Sequence, residues 1–287
     1  MTEGVAVQEN RLDSSTQEII GWSTGYVDRH PITALRTVGG QCVLAVRAFQ
    51  YFFIDLARAR FPFREFVEQA TFMARTAAVP TLFIAVPLSV TLAIQFSLLA
   101  GQLGATSLAG AANGLAVLRQ GAPLVAAVLM AAAVGSATGA DLGSRKIREE
   151  TDAMEVMGVS VIRRLVVPRL AASMLIATAL TGFACFIGFL AGYAFTVMLQ
   201  GGTPGSYTAT FSSFATVDDL ILTLLKAVVF GAIVAVISCY KGLDARGGPA
   251  GVANSVNAAV VQSVLVLLLV NVLMSQMYLI LFPKTSF

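Results

Sequence analysis

The chain has 287 residues, of which 56% are apolar and only 12% are charged, and its mean hydropathy is positive. A soluble domain normally carries about twice that charged fraction, so lipid is the expected solvent for most of this chain. The net charge of +3 comes from 19 basic and 16 acidic residues concentrated in a few polar stretches. This distribution indicates membrane topology and gives no sign of nucleic-acid binding.

The polar residues do not form a recognisable catalytic or metal site. Residues 1–30 are a polar N-terminal segment without the pattern of a signal peptide. The single histidine, His30, has no matched acid, base or nucleophile, so no catalytic residue is predicted. Cys42, Cys185 and Cys239 are far apart in sequence and predict neither a disulfide framework nor a metal site.

Residues 31–78 are predicted to be an amphipathic helical region at the membrane interface. Charged side chains interrupt its apolar pattern, and placing each at mid-membrane would cost about 2.5–3.5 kcal/mol. Arg36, Arg47 and Arg58 are spaced by eleven residues, which places them within about 20° of one another on a helix. That spacing favours an interfacial helix, with an early break at Gly39-Gly40 as an alternative.

Five apolar runs are each long enough to cross a hydrocarbon core about 30 Å thick. They predict an all-α polytopic protein with a transmembrane domain over residues 79–287. Pro123 lies near the start of the second run, where proline is tolerated. The predicted spans are 79–100, 121–140, 169–199, 220–240 and 259–281, with a charged loop over 141–168.

The distribution of Lys and Arg predicts the orientation. Residues 1–80 hold eight, 141–169 hold six and 241–258 hold two, whereas the other side has only Arg119 and Lys284. The positive-inside rule then places the N-terminus and both basic loops in the cytoplasm and the C-terminus outside.

Two further segments, 101–120 and 200–218, are predicted to be loops that face outward. Lys226 lies inside the fourth run and is expected to snorkel toward the outer interface, with a cargo or counter-ion role as the alternative. Three polar residues within the spans are expected to form hydrogen bonds between helices: Gln95, Asn271 and Gln276.

Small residues recur at four-residue spacing in the second and third spans. This spacing lets transmembrane helices approach closely, so helix packing is favoured over a role specific to transport. The residues concerned are Gly135, Gly139, Gly143, Gly188 and Gly192.

The charged loop contains a predicted amphipathic helix over Arg145–Gly158, with a stop at Gly158. One interpretation is a solvated helix that rests on the bilayer, and the other is a docking helix for a cytoplasmic motor. At helical spacing its charged face comprises Arg145, Arg148, Glu149, Asp152 and Glu155, and its apolar face comprises Ile147, Thr151, Met154 and Met157.

Several motifs in this region resemble the signature of the MlaE/YrbE permeases, the membrane subunits of MCE-type ABC lipid transporters. They are Val-Gly-Ser-Ala at 134–137, Asp-Leu-Gly at 141–143, Glu-Glu-Thr-Asp-Ala-Met-Glu-Val-Met-Gly-Val at 149–159 and Val-Pro-Arg at 167–169. Tyr-Lys-Gly-Leu at 240–243 and Gly-Gly-Pro-Ala-Gly-Val at 247–252 are similar to that family's loop before its last helix. The resemblance covers roughly residues 65–280.

The resemblance implies a permease subunit in a bacterial plasma membrane that moves hydrophobic lipid between the bilayer and an assembly of MCE-domain proteins. It also implies a cytoplasmic ABC ATPase dimer and a second, identical or related permease as partners. The chain lacks a GxxxxGK[ST] phosphate loop, so it is expected to bind no cofactor itself, with ATP and Mg on the ATPase.

Two sets of residues follow as candidates. The coupling helix implied by the resemblance comprises Arg145, Arg148, Glu149, Glu150, Asp152, Met154, Glu155, Met157 and Gly158. The candidates for the lipid path are Gln95, Leu99, Arg119 and Gln120.

The chain departs from the family pattern at two charged positions. Gln120 follows Arg119 where the family commonly has Arg-Glu-x-x-Pro, and Ala133 stands where an arginine is usual. Fewer charges near a lipid head group favour a fatty acid, mycolic-type lipid or sterol over a phospholipid, and the pattern looks like the actinobacterial branch. A membrane scaffold or a carrier not driven by ATP remains the alternative, although acidic residues such as Asp219 lie only at the edge of a span.

Overall fold

The computed structural model describes residues 36–58, 61–102, 109–199 and 203–281. The chain divides into two compact units, Met1–Val46 and Arg47–Phe287. The predictions for residues 1–30, His30 included, and for Lys284 lie outside the described residues.

The described residues form helices and no strands. Helix α3 is a succession of α-helical segments, Ala109–Ala116, Ala122–Leu129 and Ser136–Ile147, joined by π-helical turns at Val117–Gly121 and Met130–Gly135. A further π-helical turn, Ile162–Val166, opens α5. The remaining bounds are 36–57 for α1, Phe63–Gln102 for α2, Glu150–Val156 for α4, Val167–Leu199 for the rest of α5, Pro204–Phe214 for α6, Val217–Leu243 for α7 and Gly248–Leu281 for α8.

Five of these helices, α2, α3, α5, α7 and α8, are long and apolar enough to cross a membrane. The prediction of an all-α polytopic membrane protein is therefore confirmed. Helix α2 has 40 residues and is about 60 Å long, roughly twice the thickness of a hydrocarbon core. Residues 63–78 thus belong to the same helix that contains the predicted span 79–100.

Residues 36–57 are helical, and Gly39 and Gly40 do not interrupt them, so the alternative of an early break is wrong. Glycine costs a helix only about 1 kcal/mol relative to alanine, a cost that neighbouring turns can offset. Arg36 and Arg47 are both exposed. The interfacial position of this helix stays a prediction.

The core lies around α3 and α7. In α3 and α7, 56% of the most apolar window is buried, compared with 17% in α2 and 22% in α8. Met130 and Val134 of α3 pack with Phe230 and Val234 of α7, and Leu180 of α5 joins the same cluster. Among the described residues, helices α2 and α8 therefore keep most of their apolar surface free of contact.

The five glycines of the small-residue pattern all lie against neighbouring helices. A Cβ atom added at Gly135 or Gly143 would come within 2.9 Å of Ser238 Oγ or Val252 Cγ1 respectively. At Gly188 it would meet Val117 at 2.5 Å, and at Gly192 it would meet Asn113. Gly139 has only ordinary contacts, with Val256 at 3.5 Å.

The segments predicted to be outward loops are largely helical where the structure describes them. Residues 109–121 continue α3, and residues 204–214 form α6. Gly110 and Gly114 allow α6 to pack closely, with Tyr207 and Phe211 against them. Asn113 Nδ2 donates to the Tyr207 hydroxyl at 3.1 Å, and burial raises the pKa of Tyr207. The prediction of loops is wrong here. Aromatic residues of α6 pack on glycines of α3 and stabilise α6, and the spacing of apolar residues in the sequence did not reveal this helix.

Gly231 lies at the crossing of α7 and α5, where the backbones approach most directly. A Cβ at this position would lie 2.6 Å from the Ser173 carbonyl oxygen and 2.9 Å from Met174 Cα. The Ser173 hydroxyl also donates to the Gly231 carbonyl at 2.7 Å. Backbone atoms cannot turn away as side chains can, so even one methyl group would separate the two helices.

We expect Gly231→Ala to lower the stability of the detergent-solubilised chain by about 1–3 kcal/mol, the usual cost of overpacking. Gly182→Ala is the matched control, because a Cβ at Gly182 meets nothing within 4 Å. Thermal unfolding followed by circular dichroism would compare the two variants. Equal midpoints for both would contradict the close crossing.

Candidate functional site

A π-helical turn of α3, Val117–Gly121, lies just before Pro123, and together they remove the usual helical donors of two backbone carbonyls. The amide of Ala122 donates to the Val117 carbonyl, five residues back. The next residue, Pro123, has no N–H to give to the carbonyl of Arg119 or of Leu118. Such carbonyls need another donor inside a membrane.

Helix α7 supplies both donors. The Thr223 hydroxyl donates to the Leu118 carbonyl at 2.8 Å, and Lys226 Nζ donates to the Arg119 carbonyl at 3.2 Å. Thr223 and Lys226 are three residues apart and therefore share one face of α7. The irregular turn of α3 and this polar face of α7 are complementary.

Lys226 does not snorkel to the outer interface, contrary to the expectation from the sequence. Only 1% of the residue is exposed. Besides the Arg119 carbonyl, its ammonium donates to Asn271 Oδ1 at 3.3 Å and to Ser275 Oγ at 2.7 Å. The three acceptors match the three donors of an ammonium group, so the lysine is held inside the protein rather than drawn to water.

Asp219 is the acidic member of this region and is fully buried. Its Oδ1 lies 2.8 Å from Arg119 Nη2 and accepts a hydrogen bond from the Tyr278 hydroxyl at 3.3 Å. Its Oδ2 accepts from the hydroxyl of Thr216, which caps α7, at 2.9 Å. The carboxylate thus joins α3, α7 and α8 while it completes the first turn of its own helix.

Gln120 is joined to α8 through Asn271, whose Nδ2 donates to Gln120 Oε1 at 3.0 Å. The prediction of interhelical hydrogen bonds is therefore confirmed for Asn271, whereas Gln95 and Gln276 are exposed. We call the connected set the polar network. It consists of Arg119, Gln120, Asp219, Thr223, Lys226, Asn271, Ser275 and Tyr278.

The candidates for the lipid path fall into two groups. Arg119 and Gln120 belong to the polar network, whereas Gln95 and Leu99 are exposed on α2. Their role in a lipid path stays a prediction. Lys226 and Asp219 were not among the candidates, and the signal that could have found them is Pro123, since a proline that removes helical hydrogen bonds calls for donors on a neighbouring helix.

The loop helix differs from its prediction. Helix α3 ends at Ile147, Glu149 has a positive φ of 60°, and a separate helix α4 runs over Glu150–Val156. The predicted single rod over Arg145–Gly158 is therefore wrong, because the left-handed residue redirects the chain and breaks the assumed common face. The predicted stop is confirmed, since Gly158 has a φ of 75°.

Ion pairs hold α4 relative to the end of α3. Lys146 Nζ lies 2.6 Å from Asp152 Oδ1, and Arg148 Nη2 lies 3.0 Å from Glu150 Oε1. The hydrogen bond from Lys146 lowers the pKa of the Asp152 carboxyl. Beyond these pairs, Val156 is 89% exposed and Met157 is 71% exposed, so the far end of α4 presents apolar side chains.

The start of α5 is fastened to two other helices. Arg163 is bonded to Asp55 of α1, a residue that is only 1% exposed. Arg164 lies 2.5 Å from Glu65 of α2. Because these arginines follow the loop directly, displacement of the loop would pull on α1 and α2 as well as on α5.

We expect Lys226→Met to lower stability by about 1–3 kcal/mol, because three acceptors lose their donor and interhelical hydrogen bonds in membranes contribute about 0.6–2 kcal/mol each. Lys241→Met, near the end of the same helix and partly exposed, controls for the loss of a lysine. Thermal unfolding in detergent would measure both. An unchanged midpoint for Lys226→Met would contradict a structural role for the polar network.

We expect Lys146→Gln to lower the protection of the α4 amides from hydrogen exchange by about two- to fivefold, the range typical of an exposed ion pair. Because the pKa of Asp152 is lowered in the folded chain, the pair is complete at neutral pH and is lost as the pH falls through that lowered value. Exchange monitored by mass spectrometry at several pH values, corrected for intrinsic rates, would test this. Lys241→Gln is the control, and equal protection in both variants would refute the contact.

The chain matches the model of the permease MlaE family over residues 66–277. It is similar to a protein from Synechocystis named as a probable ABC transporter permease protein, with 36% identity over 172 residues, or 60% of this chain and 65% of that protein. It is also 31% identical over 189 residues to the chloroplastic protein trigalactosyldiacylglycerol 1 of Arabidopsis thaliana, covering 64% of this chain and 53% of that protein.

A further relative from Rickettsia typhi, also named as a probable ABC transporter permease protein, is 29% identical over 163 residues, which are 57% of this chain and 63% of that protein. The chain thus spans less than two thirds of the length of these curated relatives. The family match covers well over half of the chain and includes all five membrane helices in whole or in large part. On this evidence the chain belongs to the MlaE permease family.

Proposed function

We propose that this chain is the transmembrane permease subunit of an ATP-driven lipid transporter. The observation that carries the proposal is α4, a short helix that stands between two membrane helices and exposes Val156 and Met157. A solvated loop helix gains nothing from such exposure, whereas a docking helix needs apolar side chains to bury in a partner. The partner is a cytoplasmic ABC ATPase dimer.

The connections of α4 suit the transmission of movement. The Lys146–Asp152 pair joins it to α3, and Arg163 and Arg164 join the following segment to α1 and α2. Closure of an ATPase dimer would thus act on several membrane helices together, as rigid-body switching requires. ATP and Mg would be bound by the ATPase, and this chain would carry out no hydrolysis.

A second permease would complete the membrane unit. Helix α8 carries a row of exposed apolar side chains at four-residue spacing, Val261, Leu265, Leu269 and Leu273, and α2 is the least buried of the five membrane helices. We propose that a second, identical or related permease packs near these helices. The cargo would pass through an apolar cavity at that interface, lined by α2 and α8, which favours acyl chains.

The cargo is proposed to be a hydrophobic lipid with little head-group charge. The Arabidopsis relative is named for trigalactosyldiacylglycerol, a glycolipid, which supports lipid as the class. Besides the cations Arg119 and Lys226, the polar network contains one carboxylate, Asp219, and the amides of Gln120 and Asn271. A fatty acid, a mycolic-type lipid or a sterol suits these surroundings, and a phospholipid is the more highly charged alternative.

The chain is proposed to lie in a bacterial plasma membrane, with its N-terminus in the cytoplasm and its C-terminus outside. The excess of Lys and Arg in the 141–169 loop supports this orientation. MCE-domain proteins on the extracytoplasmic side would exchange lipid with the permease. Membership of the actinobacterial branch, with paired related permeases, is part of the same proposal.

We expect an ABC ATPase, MCE-domain proteins and lipid to co-purify with this chain in mild detergent from its native membrane. Val156→Asp and Glu155→Lys should each reduce ATPase recovery at least about tenfold, because a charge placed in an apolar contact or reversed at its edge is costly. Quantitative mass spectrometry of proteins and lipids would measure the recovery.

The control is Glu68→Lys, which makes the same charge reversal on an exposed part of α2, where the side chain is 62% exposed. Both test residues are exposed, so the variants should fold. Full ATPase recovery with Val156→Asp and Glu155→Lys would overturn the docking role of α4. Reproducible isolation of the wild-type chain without any ATPase would favour a membrane scaffold.

A further inference from the structure

A second polar region lies at the other end of α3, beside α2. It is a cleft of about 310 Å³ lined by both charged and apolar side chains. The residues that line it are Gln69 and Phe72 of α2, Ala137, Thr138, Asp141 and Arg145 of α3, and Arg169 of α5. None of these side chains belongs to the polar network.

Arg169 is the least accessible charged residue of the cleft, with 3% of its side chain exposed. Its Nη2 is paired with Asp141, but its Nη1 is buried without a hydrogen-bond partner among the residues that the structure describes. Buried donors in folded proteins are nearly always satisfied by protein, water or ligand. A guanidinium with an unused nitrogen in the wall of a cleft therefore has capacity for an additional acceptor.

The charges of the cleft do not cancel. Asp141 is shared by two guanidinium groups, since Arg145 Nε also lies 3.2 Å from its Oδ1 and 3.3 Å from its Oδ2. Glu150 lies 4.0 Å from Arg145 on the outer side, and its other carboxylate oxygen is already paired with Arg148. One anionic group is thus needed to balance the two arginines that line the cleft.

The rest of the cleft is suited to an apolar chain. Phe72 is 47% exposed on α2, the helix with most of its surface free, and Ala137 lies two turns from Arg145, about 12 Å along α3. An inorganic anion would use only the arginine end. A lipid would use both, with its head group at the arginines and its chain along Phe72.

We propose that this cleft binds one membrane lipid through a single anionic head group, a carboxylate or a phosphate monoester. Arg145 contributes the accessible guanidinium and Arg169 the buried one, and planar guanidinium groups match such oxygens in pairs. Thr138, which is buried, also lines the cleft. The site needs neither an ATPase nor transport activity, so it stands independently of the function proposed above.

The test uses the full-length chain, purified in detergent, stripped of native lipid and titrated in native mass spectrometry. The probes are oleate and dioleoyl phosphatidic acid, with dioleoyl phosphatidylcholine and inorganic phosphate as comparisons. We expect oleate and phosphatidic acid to bind one per chain. Phosphatidylcholine and inorganic phosphate should bind about tenfold more weakly or worse. The choline cation of phosphatidylcholine neutralises its phosphate, and inorganic phosphate has no acyl chain.

Arg145→Gln should weaken binding of both anionic lipids about tenfold, the usual effect of losing one charged hydrogen-bond partner. Ala137→Leu changes no charge but fills the cleft, and it should weaken binding similarly. Arg246→Gln is the matched control: its side chain is 87% exposed and pairs with Asp244, so binding should be unchanged.

Three results would overturn the site. Unchanged affinity in both Arg145→Gln and Ala137→Leu would show that the lipids bind elsewhere. An equal loss in Arg246→Gln would show general attraction to positive charge. Competition by inorganic phosphate at the affinity of phosphatidic acid would show a site for free anions and not for lipid.

Discussion

The requirement that every backbone polar group inside a bilayer be paired governs the centre of this protein. Pro123 removes a donor from α3, and the π-helical turn before it exposes the carbonyls of Leu118 and Arg119. The side chains of Thr223 and Lys226 on α7 donate to these carbonyls. Once Lys226 is buried it needs further acceptors, which α8 provides. Because Pro123 has no N–H, side-chain hydrogen bonds take its place, and these bonds join α3, α7 and α8.

The polar network lies near the start of α3, whereas α4 follows the end of α3. The two regions are stabilised by different kinds of contact. The polar network is buried, so its geometry is maintained by desolvated hydrogen bonds. The pairs around α4 are largely exposed and are screened by solvent and salt. The contacts of α4 are therefore weaker than those of the polar network, which suits a segment that is proposed to move with a partner.

The polar network around Arg119 and the cleft around Arg169 also differ in the ratio of arginines to carboxylates. Arg119 is paired with a buried carboxylate, Asp219, which also accepts hydrogen bonds from the hydroxyl groups of Thr216 and Tyr278, and Arg119 Nε is buried without a hydrogen-bond partner among the described residues. Arg169 shares Asp141 with Arg145, and one of its nitrogens has no partner in the described part of the chain. In the first region one guanidinium is paired with a carboxylate, whereas in the second two guanidinium groups share one carboxylate. The second has capacity for a ligand, and it lies beside the exposed surface of α2.

Sequence alone determined that this is a membrane protein with five spanning helices, because lipid as solvent demands long apolar runs. It also located the motifs of the MlaE family and the stop at Gly158, where only a residue tolerant of positive φ ends the helix readily. Local chemistry was sufficient for each of these. The tertiary structure decided the burial of Lys226, whose acceptors lie 107, 45 and 49 residues away in the chain. The partners of Lys226 cannot be found by periodicity along a single helix. The break at Glu149 was not predicted either, because a left-handed residue inside a helical pattern does not change the spacing of apolar residues.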